Sequence, residues 1–245
     1  MESHARTQLY LHANPEFLMK AGSICISALH AITVTIFLLL LVSACEEIHP
    51  SVTHNTGKRS VLICNEGNFT FGNASLSWYD PDSMTVQNQV FFDTNLFPVG
   101  DVLQSISIRD TLAYLVINNS GKILVISTNT FQHVATIGGL KSPRYLHLLN
   151  KRKAYVSDLY AKSITILDLN SHEVTGEIYV GASTEQFAQY GNALFVTSWS
   201  GKNKVYRIDT ETDNIVDSLT LALQPNSIVL DRFDRLWVLS DGAYP

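Results

Sequence analysis

The side chains best suited to recognising another molecule are Arg144, Tyr145, Tyr160, Glu185, Gln186, Trp199 and Asn226, with Asn65, Phe69, Asn118 and Asn119 extending the set towards the N-terminus. Aromatic faces bury apolar area, and amides, a guanidinium and a carboxylate fix orientation. That mixture suits a large, partly polar small molecule. The same residue types also pack structural joints, and for Tyr145, Trp199 and Gln186 that alternative stays open. Catalytic chemistry has less to work with. After residue 45 the histidines are His49, His54, His133, His147 and His172. Of these, His147 stands two residues past Tyr145 and reads as a core histidine. No Gly-x-Ser-x-Gly nucleophile elbow occurs, and Asn65-Glu66-Gly67-Asn68 lacks the spacing of a phosphate-binding glycine loop. No zinc spacing is present. The acidic stretches Asp80-Pro81-Asp82-Ser83 and Asp209-Thr210-Glu211-Thr212 lack the glycine and terminal glutamate of a calcium loop, and read as turns in which Asp and Ser/Thr bond their own backbone. No metal or cofactor is expected.

Length and charge bound the rest. The chain has 245 residues, 46% hydrophobic and 16% charged, with a formal net charge of -5. It is long enough for one sizeable core. The mild acidity argues against a nucleic-acid partner, which leaves a basic footprint.

The N-terminal region predicts export. An uncharged apolar run from Ile32 to Val42 follows Met19-Lys20 and leads into Ser43-Ala44-Cys45. A cationic start, a short apolar stretch and small residues before a cleavage point describe a secretory leader. Leu41-Val42-Ser43-Ala44-Cys45 resembles the lipobox of bacterial lipoproteins, which implies a lipid on the Cys45 thiol and cleavage before it. The expected division is 1–18 as an upstream extension, 19–44 as a helical signal peptide, 45–60 as a lipid-anchored linker and 61–245 as the folded body. A transmembrane helix over 21–44 has just enough apolar length and is the alternative. Glu46-Glu47 resembles the acidic pair that sends some lipoproteins to the outer face of the outer membrane, so a lipid-anchored, outward-facing position is expected. Cys64 is then the single cysteine of the body, and no internal disulfide can form there.

What must position the candidate residues is a repeat. Tyr114, Tyr155, Phe195 and Trp237 sit in similar β-rich runs at intervals of 41, 40 and 42 residues. Tyr79-Asp80, Ile126-Ser127, Leu167-Asp168 and Ile208-Asp209 keep nearly the same beat, except that the first interval is 47 and predicts extra loop in the first copy. Four strands fit each copy; in the third they are 145–149, 154–158, 163–168 and 174–180. Four strands at a period of about 40 residues make a β-propeller blade. The expected fold is therefore all-β, a propeller of four-stranded antiparallel blades. About four and a half blades are expected, part of a seven-bladed ring, the first lacking its inner strand and the last its outer two. One face collects the loops between second and third strands (65–73, 118–122, 158–162, 198–203, 241–245) and those entering the next blade (99–104, 141–144, 181–186, 221–226). The candidate residues all lie on or beside these loops.

These loops also carry a family resemblance. Asn118-Asn119-Ser120-Gly121-Lys122, Ser142-Pro143-Arg144-Tyr145, Asp158-Leu159-Tyr160-Ala161, Ser183-Thr184-Glu185-Gln186 and Gln224-Pro225-Asn226-Ser227 resemble the YncE-like, DUF5074-type propeller lipoproteins that accompany TonB-dependent receptors. The resemblance runs from about Val61 to Tyr244. It implies surface capture of a small molecule, with cobalamin (vitamin B12) the leading cargo, and delivery to a TonB-dependent outer-membrane receptor. A propeller enzyme of the lyase or lactonase kind and a protein-interaction scaffold are the alternative functions.

Overall fold

Alternation along one strand explains the architecture. In Leu112–Ile117, Ala113, Leu115 and Ile117 enter one core, and Tyr114 and Val116 the next. Successive strand side chains point to opposite faces, so a strand apolar at every position must be covered on both sides. A sheet built around such strands is stable only when stacked between two others.

The chain's fold is described by a computed structural model covering residues 60–200 and 202–242. Residues 1–59, with the expected leader and Cys45, lie outside the described residues. Among the described residues no helix is long and apolar enough to cross a membrane. The first sheet holds β1 (Val61–Asn65), β2 (Ser75–Asp80) and β3 (Thr85–Gln87), in that order. A short helix, α1 (Val90–Asn95), follows. The second sheet is β4 (Leu103–Arg109), β5 (Leu112–Ile117), β6 (Lys122–Ser127) and β7 (His133–Ile137). The third is β8 (Pro143–Leu148), β9 (Lys153–Asp158), β10 (Ser163–Asp168) and β11 (Glu173–Tyr179). The fourth is β12 (Phe187–Tyr190), β13 (Ala193–Ser198), β14 (Lys204–Asp209) and β15 (Asn214–Thr220). The last pairs β16 (Pro225–Leu230) with β17 (Leu236–Ser240). All pairings are antiparallel and sequential, the blade pattern of a β-propeller. First strands of successive sheets pack beside one another, β4 on β8 and β12 on β16. Four apolar cores occupy the joints between consecutive sheets.

The expected turns form. Asp80, Asp168 and Asp209 each accept two backbone N–H groups from the residues two and three places on, and Ser127 does so once, from Asn129. Four residues past each acceptor, Met84, Phe131, His172 and Asp213 take a left-handed φ of 57–58°. In the three complete sheets the ladder between third and fourth strands is shifted beside this turn, the mark of a β-bulge. This hairpin joins β2 to β3 as it joins β10 to β11, so β1, β2 and β3 occupy the second to fourth positions of a blade, as the repeat register predicts.

One expectation is refined. The extra residues of the first copy form α1 rather than a plain loop. Phe91 is fully buried in the first joint, edge-on to Phe97 at 5.1 Å. Asn95 donates to the Phe131 carbonyl at 2.9 Å and accepts from the His133 N–H at 2.8 Å. Val90 and Phe91, both buried in this six-residue helix, cover the core that the three-residue β3 leaves open.

Candidate functional site

The entries to the second, third and last sheets are bulged. Between first and second strands the register shifts at Leu103/Ser105, at Pro143/Leu146 and at Pro225/Ser227. The residues thrown out of the ladder are Gln104, Arg144 with Tyr145, and Asn226. In the fourth blade Glu185 stands at the matching position, with its N–H bonded to the Thr197 carbonyl at 2.9 Å. Bulges re-aim side chains, and here they aim one polar side chain per blade towards the same mouth.

These side chains meet. The Arg144 Nε donates to Glu185 Oε2 at 3.0 Å, and its Nη1 donates to Gln104 Oε1. The polar chain thus crosses three blades. Arg144, Tyr145, Glu185 and Asn226 line one concave site of about 370 Å³ with Ser227 and with Leu159, Trp199 and Asp241. The last three follow the ends of successive second strands at one register. The Trp199 Nε1 donates to Asp241 Oδ2 at 3.0 Å, and the Asn226 Nδ2 donates to Asp241 Oδ1 at 2.6 Å. The Asn226 Oδ1 is buried without a partner among the described residues.

Electrostatics are tense here. Glu185 is 4% exposed. Burial pushes its carboxyl upward, the Arg144 charge and hydrogen bond oppose that, and Asp241 adds a further upward push. Burying a charge without compensation is costly; Arg144 supplies the compensation.

Five of the eleven candidates therefore converge: Arg144, Tyr145, Glu185, Trp199 and Asn226. The others are placed elsewhere. Asn118 is buried in a blade joint, donating to Ser142 Oγ at 2.9 Å and to the Pro143 carbonyl at 3.0 Å. Gln186 accepts from the Ile228 N–H at 3.3 Å in the joint with the last sheet. Asn65 bonds Ser75 and Ser77 within its own sheet, and Asn119 donates to Asp101. The Tyr160 ring is exposed, while its backbone N–H is held by Asp158 Oδ1 at 2.8 Å. Phe69 is exposed on the loop after β1. His147 is held in the next joint, with Nε2 2.9 Å from Gln189 Oε1 and the ring 5.7 Å from Phe187; burial lowers its pKa. Cys64 is a free thiol pushed up to about 11 by burial. Gln104 and Asp241 escaped the sequence reading. The signal for Gln104 was its place 40 residues before Arg144 in the same register.

The sequence profile of a family described as "Domain of unknown function (DUF5074)" matches residues 59–242. No match was found among curated proteins. Among solved structures, the chain is similar to the β-propeller domain of Cps50 (Swd1) from Myceliophteria thermophila at 13% identity and a TM-score of 0.56 over 69% of this chain and 56% of that one. The dihydro-heme d1 dehydrogenase NirN is similar at 14% identity and a TM-score of 0.53 over 67% and 39%. The hydrazine synthase of Kuenenia stuttgartiensis is similar at 17% and 0.52 over 63% and 45%. The chain spans about half the length of these proteins or less, and likeness at such identities shows the propeller fold alone.

Proposed function

This chain belongs to the DUF5074 family, and from that footing we propose that it is a lipid-anchored lipoprotein of the outer membrane that captures a small molecule on its loop face. Cobalamin is the leading cargo, handed on to a TonB-dependent receptor. One observation carries the binding reading. Five side chains chosen for recognition chemistry come together in a single concave site at the mouth of the blade entries. Two of them are aromatic, and the rest offer donors and acceptors fixed by bulges of a rigid scaffold, which is how small-molecule sites are built. Binding is favoured over catalysis because the ionisable groups in this site are already engaged by neighbours, Arg144 with Glu185, and Asp241 with the neutral donors of Trp199 and Asn226. His147 is bonded to Gln189 in a joint and does not line the site.

Calorimetric titration of the full chain with cyanocobalamin tests the cargo. Saturable binding is expected, weakened at least about tenfold by Arg144→Ala, which removes a charge-assisted anchor. No heat at high ligand concentration removes cobalamin as the cargo.

A further inference from the structure

We propose that the outer edge of β17 is a strand-accepting site, at which an extended segment of another protein pairs antiparallel with Leu236–Ser240 and sets two apolar side chains, two residues apart, into the groove between the fourth and last sheets. The site lies apart from the loop-face cavity and does not depend on what binds there.

The repeat states what belongs at this edge. The second strands β5, β9 and β13 each pair with a first strand on one edge and a third strand on the other. Among the described residues β17 pairs with β16 alone. Across the complete sheets the register is constant. Ala113 faces Ile126, Ala154 faces Leu167 and Leu194 faces Ile208, and all three third-strand residues are fully buried. Two places earlier on the third strand, Leu124, Thr165 and Tyr206 face Leu115, Val156 and Val196. Leu236 and Val238 hold the same two places in β17, because Trp237 between them is the counterpart of Tyr114, Tyr155 and Phe195 in the repeat.

Space for the incoming side chains is present. Phe195, Val205, Leu219 and Leu221 of the fourth sheet and Leu236 and Val238 of the last line a groove of about 780 Å³. In the preceding joint Tyr206 and Ile208 of the third strand pack beside Leu194 and Val196 of the second. The edge is also unguarded. Sheets blunt their free edges with charged residues and Pro, and Leu236-Trp237-Val238-Leu239-Ser240 contains neither. The outer strands of the third and fourth sheets do carry charge, Glu173 and Glu177 in β11 and Asp217 in β15. An added strand gains affinity from main-chain hydrogen bonds, and its alternate side chains give specificity. A second copy of this chain is not the donor, since its third-position strands β2, β6, β10 and β14 are each paired on both edges. The partner segment places Ile or Leu opposite Leu236 and an apolar residue two places earlier, opposite Val238.

The probe is a fluorescein-labelled peptide of residues 202–211, which carries the Tyr206 and Ile208 pair, titrated by anisotropy against the full chain at neutral pH. Saturable binding is expected. It should weaken at least about tenfold when the peptide carries Tyr206→Asp and Ile208→Asp, and likewise when the chain carries Leu219→Glu. Leu219 is 63% exposed, so that variant should keep the parent urea midpoint. Methylating the peptide nitrogens along one edge should abolish binding and along the other should be tolerated, because pairing uses one edge only. No saturable binding, equal binding of the aspartate peptide, or tolerance of methylation on both edges overturns the proposal. A dimer of the chain that Leu219→Glu dissociates also overturns it, since the groove then holds a second copy. The cobalamin titration reads the loop-face cavity, so either result can fail while the other stands.

Discussion

At the scale of single residues, the recurring device is a carboxylate that holds a turn closed. Asp168 shows it best. Its side chain accepts from Arg152 Nε at 2.9 Å and from the N–H groups of Asn170 and Ser171 at 2.7 and 3.2 Å. The Arg152 hydrogen bond, then the two backbone donors, bring its pKa from 3.8 down to about 2. A carboxyl whose folded pKa is depressed stabilises the fold above its unfolded value and loses that contribution as pH falls through the folded one. Asp168→Asn should therefore unfold at lower urea than the parent at neutral pH, and the difference should shrink as the pH is taken from about 4 to 2. Urea midpoints across a pH series check this, and a difference independent of pH refutes it. Asp213, four residues past the equivalent carboxylate Asp209, serves a joint instead. It accepts from Tyr155 OH of the preceding blade and from Lys153 Nζ at 2.7 Å, and burial followed by this bond raises the Tyr155 pKa.

At the scale of elements, the loops between second and third strands are tied to the connectors that run from blade to blade. Asp158 Oδ2 accepts from the Ser142 N–H at 2.8 Å, Ser183 Oγ bonds the backbone of Ser200, and the Gly121 carbonyl accepts from the Leu140 N–H at 3.1 Å. Gly121 is the sharpest case. Its φ is +58°, and a Cβ there would collide with the Leu140 carbonyl. Gly121→Ala is expected to cost about 1–3 kcal/mol, from left-handed strain and the collision together. Chemical denaturation measures it, and a neutral result would mean that the 118–122 loop does not tie its neighbour. Such ties make the bulged entries rigid, and rigidity is what a binding constellation requires.

At the scale of the whole described body, each sheet contacts its sequence neighbours, so stability builds joint by joint. Among the described residues of the loop face, Phe69 and Phe71 stand out, 64% and 74% exposed. Their loop is held in shape by the Asn68 N–H to Asn73 and the Thr70 N–H to Asp101, each 2.8 Å. Fixed, exposed aromatics are typical anchors of protein interfaces, and they share a face with the candidate site, where a receptor partner would take over the ligand. If that proposal holds, co-purification of the chain with an outer-membrane barrel should be lost in the Phe69→Ser, Phe71→Ser double variant, with the cyanocobalamin titration unchanged. Co-purification insensitive to both changes would place the contact elsewhere.

The sequence by itself determined what depends on local order: the 41-residue beat, the strands it implies, the Asp and Ser turns, and the assignment of loops to a face. Those follow from periodicity and turn chemistry within a few residues. It also read Val61–Cys64 as a second strand, and β1 takes that position in the first described sheet. What only the tertiary structure decided was which face residues meet. Arg144 and Glu185 stand 41 residues apart and touch only because stacked blades bring equivalent entry positions together and a bulge re-aims Arg144. Asn118 and Gln186 carry the same kind of side chain on the same face, yet the joints claim them. An amide bonds whatever donor or acceptor packing places beside it, and packing between blades is not written in any one of them.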